Sequence, residues 1–384
     1  MPPAVRIMLL VVLGSAAAAA QPGPPGPLAA IQPTTAEGVV ELKGTVPLGV
    51  QETAGLRTVP KRFVLRYPAT GWNGALVIGA HGGSGGNDYD PTGKVISTDE
   101  TALDDVIGRH AVSSGFAYAS VDRDGAMTAP AGLSLTDQFA DVAASEVRAR
   151  LGRVPVRRYL VGLSMGGGIA REAAERGSRY AGIVIVAGAN GDLPTRTARQ
   201  RAIAEAWPGI DPAAHPDLPA TDPRVAAFAR IIGTPVAARR LWPYTAAGAV
   251  RAAASAAAAP PAPGASGNSS GVIQVPVVEV AGTWDDFVLS ELRAYRARVT
   301  PRTLHRLYLV EGVWHMSGDD DGVQSFMYLA TRMRLDPDVA AAMGEGPSYL
   351  PTVRDAFDRL VDWVERGVPA PRSQTVVPGR PLAR

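Results

Sequence analysis

Short apolar runs alternating with stretches of helical period constrain this chain more than any other feature. Strand-like runs lie at residues 39–46, 63–67, Ala75–Ala80, 116–121, 158–163, 183–187, 275–281 and His305–Val310. Helical periods lie at 101–112, 136–150, 169–176, 288–297 and 353–365. The run ALVIGA at Ala75–Ala80 holds no polar side chain, as expected of a strand buried on both faces. Phe139, Val142, Ala143 and Val147 recur along one helical face. Strands and helices in alternation predict parallel βαβ units, hence an α/β chain with one doubly wound, mostly parallel sheet.

Two breaks in that rhythm set the expected boundaries. Residues 39–189 and 272–367 form the core. Residues 190–271 contain no clean strand and read as an inserted cap, ending in an Ala/Pro/Gly/Ser-rich linker from 246 to 271. The total of 384 residues suits one core plus an insertion. At the N-terminus, Arg6, the apolar residues 7–13 and the small residues 16–20 before Gln21 predict a signal peptide over 1–20. The chain is therefore expected to be secreted or periplasmic, and the apolar run is too short for stable membrane insertion. Residues 21–38, opening PGPPGP, are expected to be a flexible leader, and the Pro-rich residues 368–384 a mobile tail.

Charge and composition exclude several classes. Thirty-eight Lys plus Arg against 36 Asp plus Glu leave a net +2, so no field marks nucleic acid as a partner. With no cysteine there is no disulfide, thiolate metal site or Cys nucleophile. Thr92-Gly93-Lys94 ends on Val95 where a phosphate-binding loop needs Ser or Thr, and no G-x-G-x-x-G spacing occurs around the Gly clusters near His81 and Ser164. Asp319-Asp320-Asp321-Gly322 matches only a fragment of a calcium loop. Neither metal nor organic cofactor is expected.

The chemistry concentrates in RYLVGLSMGGG, residues 158–168. A strand ends, Ser164 follows between Gly162 and Gly166, and a helix starts at once. Such a turn needs glycines because side chains at 162 or 166 would strike the neighbouring elements, and it lifts Oγ to a helix N-terminus that favours negative charge. Serine needs a base. His305 begins a strand, His110 lies in or beside a helix and His215 sits among prolines, whereas His315 follows the last strand in a loop at its C-terminal end, where open α/β sheets keep their sites, and is assigned as the base. Asp285, in Gly282-Thr283-Trp284-Asp285-Asp286 after another strand, is the preferred acid to orient the imidazole, with Asp286 the alternative and Asp122 and Asp124 minor candidates. An oxyanion needs two amides. Met165 supplies one by position, and Gly83 in His81-Gly82-Gly83-Ser84-Gly85-Gly86 is the choice for the other, with Gly82 or Ser84 as alternatives. His81 reads as a structural anchor there. Trp284, Trp242 and Tyr244, with Trp207, could line a substrate pocket or simply fill the cap's core.

HGGSGG, GLSMGG, GTWDD and VWH, in this order from about residue 63 to 363, resemble the α/β-hydrolase superfamily. The resemblance implies a Ser–Asp–His order of catalytic residues and hydrolysis of a small or oligomeric ester. More narrowly, the chain is similar to secreted bacterial esterases near the tannase and feruloyl esterase group or the polyester depolymerases, with LVDWVERG before Pro369 as a further likeness. That group carries cysteines just before the serine and just after the histidine, where this chain has Leu163 and Met316. The same residues would also serve amide hydrolysis, and loss of activity would leave an exported binding protein.

Overall fold

A computed structural model describes residues 27–28, 30–52, 55–82, 87–89, 95–123, 127–177, 179–189, 193–215, 217–232, 246–247, 249–250, 253–254, 270–285, 288–313, 315 and 347–383. Ten strands form one sheet: β1 (Thr34–Ala36), β2 (Val39–Glu52), β3 (Gly55–Pro68), β4 (Ala75–Ala80), β7 (Ala117–Val121), β8 (Arg157–Leu163), β9 (Gly182–Val186), β10 (Val277–Gly282), β11 (His305–Val310) and β12 (Gln374–Val376). The spatial order is β1-β2-β3-β7-β4-β8-β9-β10-β11-β12. The first three pairings (β1–β2, β2–β3, β3–β7) are antiparallel and the remaining six are parallel. Two short strands, β5 (Asn87–Tyr89) and β6 (Val95–Thr98), pair separately.

The sheet lies between two helical layers because its central strands are apolar on both sides. Leu76 and Ile78 of β4 join the core under α2 (Ala129–Leu151) and α3 (Met165–Arg176), where Phe139, Ala143, Val147 and Ile169 are buried. Val77 points the other way, into a core with α1 (Arg109–Ser113) and α7 (Leu350–Arg366), which contribute Val112, Val353, Phe357 and Leu360. Phe357 meets Phe116 and Tyr159 edge-on at ring separations of 5.3 and 5.9 Å. This period-two split makes β4, β8 and β9 the interior of the molecule.

Several expected boundaries shift. The first hairpin is longer than its pattern predicts, because Pro47 and Pro60 interrupt the apolar signal. They face each other in the register, where no ladder bond is lost at a non-hydrogen-bonded pair. Two residues along, Gln138 of α2 clasps both the N–H and the C=O of Gly49, which therefore point away from β3. The leader is docked over its described part: Leu28 is buried with its N–H on Glu146, Arg150 donates to the Ile31 carbonyl, and β1 extends the sheet.

The tail expected to be mobile is also a structural element. Its strand β12 runs parallel to β11, Glu311 N–H donates to the Val376 carbonyl, and Val376 and Leu382 are buried. Arg306 and Tyr308 hold the carbonyls of Ala370 and Pro371, and Asp355 accepts from Leu382 N–H. Prolines around QTV suggested mobility, yet an uncovered β11 edge leaves backbone groups unpaired, and the tail satisfies them.

Between β9 and β10 the chain leaves the sheet for α4 (Leu193–Ala206) and α5 (Pro223–Ile232). These carry a small core of their own, with Ile203, Trp207, Val225, Phe228, Ala246 and Ala249. Trp207 is fully buried there, with Arg224 stacked on its ring, which answers the open question about its role: it is a core residue of the insertion. Most of the linker, and residues 1–20, lie outside the described residues. No described helix is long and apolar enough to cross a membrane.

Candidate active site

Strand order reverses beside β4: its partner β7 lies to one side and β8 to the other. Crevices at the C-terminal ends of strands around such a reversal are where open α/β sheets hold their ligands. Ser164 stands at this point, as the residue between β8 and α3. Its backbone sits at φ 52°, ψ −116°, in the left-handed region that a side chain enters only under strain. Surrounding hydrogen bonds impose that geometry. Ser164 N–H donates to the Val186 carbonyl at 2.9 Å, and the Ser164 carbonyl accepts from Gly167 and Ala189 N–H at 2.9 and 2.7 Å.

The two flanking glycines have no room for side chains. A Cβ at Gly162 would enter the Gly166 backbone, and one at Gly166 would enter the carbonyls of Ala80 and His81. The turn is therefore wedged between β4 and its own helix, and Oγ projects from the top. Gly82 follows β4 on the other side of the crevice, close enough that a Cβ added there would sit 3.2 Å from Ser164 Cβ. Met165 is the first residue of α3, so by position its N–H lacks an intrahelical acceptor.

Three of the residues singled out by sequence meet here. Ser164 Oγ lies 2.8 Å from His315 Nε2, and His315 Nδ1 lies 2.9 Å from Asp285 Oδ2. Burial is graded along this line: Asp285 is fully buried, the His315 side chain is 13% exposed, and Ser164 is only part-buried. Asp285 is fixed from behind, since its other oxygen accepts from Val288 N–H at 3.2 Å. The loop bearing His315 is tied by Trp284 N–H to the Val313 carbonyl and by Gly312 N–H to Thr283 Oγ1. Tyr349, buried at the start of α7, donates its hydroxyl to the His315 carbonyl at 2.9 Å.

The other nominated residues divide. Trp284 is part-buried, its ring close over Gly312, directly before Asp285. Gly83, Ser84, Asp124, Trp242, Tyr244 and Asp286 lie outside the described residues. Asp122 faces Arg62 at 3.6 Å, with a carboxylate oxygen within 4.8 Å of a His81 ring nitrogen. His110 pairs with Asp358, and His305 with Glu279.

His81 is the anchor of the first loop, with a partner that sequence reasoning missed. Its Nε2 accepts the backbone N–H of Arg123 at 2.9 Å, so the ring proton sits on Nδ1 and donates to the Gly82 carbonyl at 3.1 Å. The Arg123 guanidinium holds the carbonyls of both His81 and Gly82. Complete burial, and then the charge of Arg123, push the His81 pKa down to about 3, so the ring is neutral at any pH where a histidine base could work. Nothing local marks Arg123 or Tyr349 in the sequence, because each acts on a loop far away in the chain.

Among the described residues, His81, Asp99 and Asp122 are the one group with donors close enough for a metal, within 4.8 Å. Both His81 nitrogens are engaged, and Arg62 and Arg123 already supply positive charge there. The donor set does not fit a cation.

A family model described as an alpha/beta hydrolase domain matches residues 237–378, a span that contains Asp285 and His315 but not Ser164. Over that span the chain is similar to an alpha/beta hydrolase domain, in keeping with its doubly wound, mostly parallel sheet. Solved structures that resemble this chain include an esterase from Pyrobaculum calidifontis, 20% identical, covering 81% of this chain and 84% of that one at a TM-score of 0.38. A thermophilic esterase from Thermogutta terrifontis is 18% identical, with 81% and 99% covered and a TM-score of 0.37. The 2,6-dihydroxy-pseudo-oxynicotine hydrolase is 16% identical, with 86% and 71% covered and a TM-score of 0.44. No curated protein matches the sequence.

Proposed function

We propose that this α/β hydrolase is an exported serine esterase that works through an acyl-enzyme. The observation that carries the reading is the unbroken hydrogen-bond line from Ser164 through His315 to Asp285. His315 Nε2 takes the Oγ proton as Oγ bonds to the ester carbonyl carbon, and Asp285 steadies the imidazolium from the buried side. The carbonyl oxygen becomes negative beside the start of α3, where the Met165 amide and the Gly83 amide are proposed to receive it. The imidazolium then protonates the departing alkoxide. Water attacks the acyl carbon with His315 again as base, the imidazolium returns that proton to Oγ as the Oγ–acyl bond breaks, and the acid leaves. Esters are proposed as the substrate class because GLSMGG, GTWDD and VWH resemble secreted bacterial esterases. Export rests on residues 1–20 alone.

Matched p-nitrophenyl ester and p-nitroanilide substrates test the class directly. Ester cleavage is expected to be far the faster, and a fluorophosphonate is expected to label Ser164 alone. Anilide cleavage at equal or greater rate would assign the site to amides, and folded protein that takes no label would end the enzymatic reading.

Arg123 offers a second test, because it holds the loop that leads to Gly83 without touching the ester. Arg123→Met is expected to lower kcat roughly ten- to hundredfold with little change in KM, as misplacing one oxyanion donor should. An unchanged kcat in folded protein would show that this loop plays no part in the transition state.

A further inference from the structure

Ser164 stands at the C-terminal ends of the strands. His305 opens β11 at the other end, level with Val277, Ile183 and Leu160 in the neighbouring strands. A cavity of about 280 Å³ lies there, lined by Arg293, Arg296, Ala297, Val299, Arg302 and His305. Arg293 and Arg296 lie one turn apart on α6 (Leu289–Arg298), and Arg302 comes from the turn that leads into β11. Three arginines from two successive elements thus line one space.

Their charge is not neutralised locally. Among the described residues, Arg293, Arg296 and Arg302 have no carboxylate partner, and neither do the adjacent Arg306 and Arg372. Arg296 donates to the Ser373 hydroxyl, while Arg302 and Arg306 donate to main-chain carbonyls. Arg66, Arg158 and Arg359, by contrast, pair with acids. His305 is 4% exposed; its Nε2 is taken by Glu279, and its Nδ1 has no hydrogen-bond partner among the described residues.

We propose that this cavity binds a phosphate monoester. Guanidinium forks match the oxygens of phosphate and carboxylate alike, but a carboxylate offers two oxygens, whereas a phosphate monoester presents three and a double charge to a cavity lined by three arginines. The cavity has room for a phosphorylated small molecule, and a phosphatidate headgroup would present the same chemistry.

Titration calorimetry of the full chain with glycerol 3-phosphate, and co-sedimentation with phosphatidylcholine vesicles carrying phosphatidic acid, test the proposal. Binding of the first assigns a soluble ligand, and binding of the vesicles alone assigns a headgroup. Acetate at matched ionic strength is expected not to bind. The double variant Arg293→Ser/Arg302→Ser is expected to weaken phosphate binding at least about tenfold, with thermal midpoint and ester hydrolysis unchanged. Absence of binding in both arms, equal binding of acetate, or full binding by the double variant would overturn the proposal. The binding readouts do not involve Ser164, so failure of this proposal leaves the esterase reading untouched.

Discussion

Ser164→Ala is expected to reduce kcat for ester hydrolysis by roughly 10⁴- to 10⁶-fold, the scale seen when a serine nucleophile is removed and only binding and oxyanion stabilisation remain. The fold should hardly notice. Alanine carries the same Cβ as serine, so the φ of 52° is no worse for it, and the main-chain bonds to Val186, Gly167 and Ala189 do not involve the side chain. The side-chain hydrogen bond lost is that to His315. Thermal midpoint measured beside steady-state rates separates the two effects. A variant that kept its activity would remove Ser164 from the reaction, whatever its geometry.

The second large effect concerns stability. Arg171 on α3 and Glu279 on β10 form an ion pair in which both side chains are almost wholly buried, and His305 adds its Nε2 to the same carboxylate. Arg171 also lies over the Tyr295 ring, 4.8 Å from its centroid. Burial by itself would raise the Glu279 pKa, but the charge of Arg171 and the contact with His305 outweigh it and hold the group below the ordinary carboxylate value. Glu279→Gln leaves the guanidinium without its counter-charge and is expected to cost about 3–5 kcal/mol in urea unfolding. Pairing Glu279→Leu with Arg171→Met should recover much of that loss, since the buried charge then disappears altogether. The sign with pH follows from the lowered pKa. The stabilisation is complete above the pKa of Glu in the unfolded chain and is lost as pH falls through the lower native value. A single variant as stable as the parent would mean that the pair is offset by its desolvation.

Sequence reached the centre of the candidate site and stopped at its supports. Ser164, Asp285 and His315 each stand just past a strand that announces itself by an apolar run, so chain order and local pattern carry most of the information. The sheet's central strands were legible for the same reason: Ala75–Ala80 and His305–Val310 are bounded by the residues that the pattern gives. Arg123 and Tyr349 were not legible. Each acts on a main-chain carbonyl across the fold, and a hydrogen bond to a carbonyl leaves no trace in the identity of the residue that owns it. The long hairpin and the tail strand were hidden by prolines, whose cost depends on which side of the ladder their nitrogen faces. That is set by register, which pattern alone does not give.

The tail strand also decides what the sheet offers at one flank. Strand β11 is left as an outer edge unless β12 pairs with it. With Gln374–Val376 undocked, the sheet presents an open, template-like flank to any other extended chain. Docking of these three residues replaces the six-residue edge of β11 with a much shorter one.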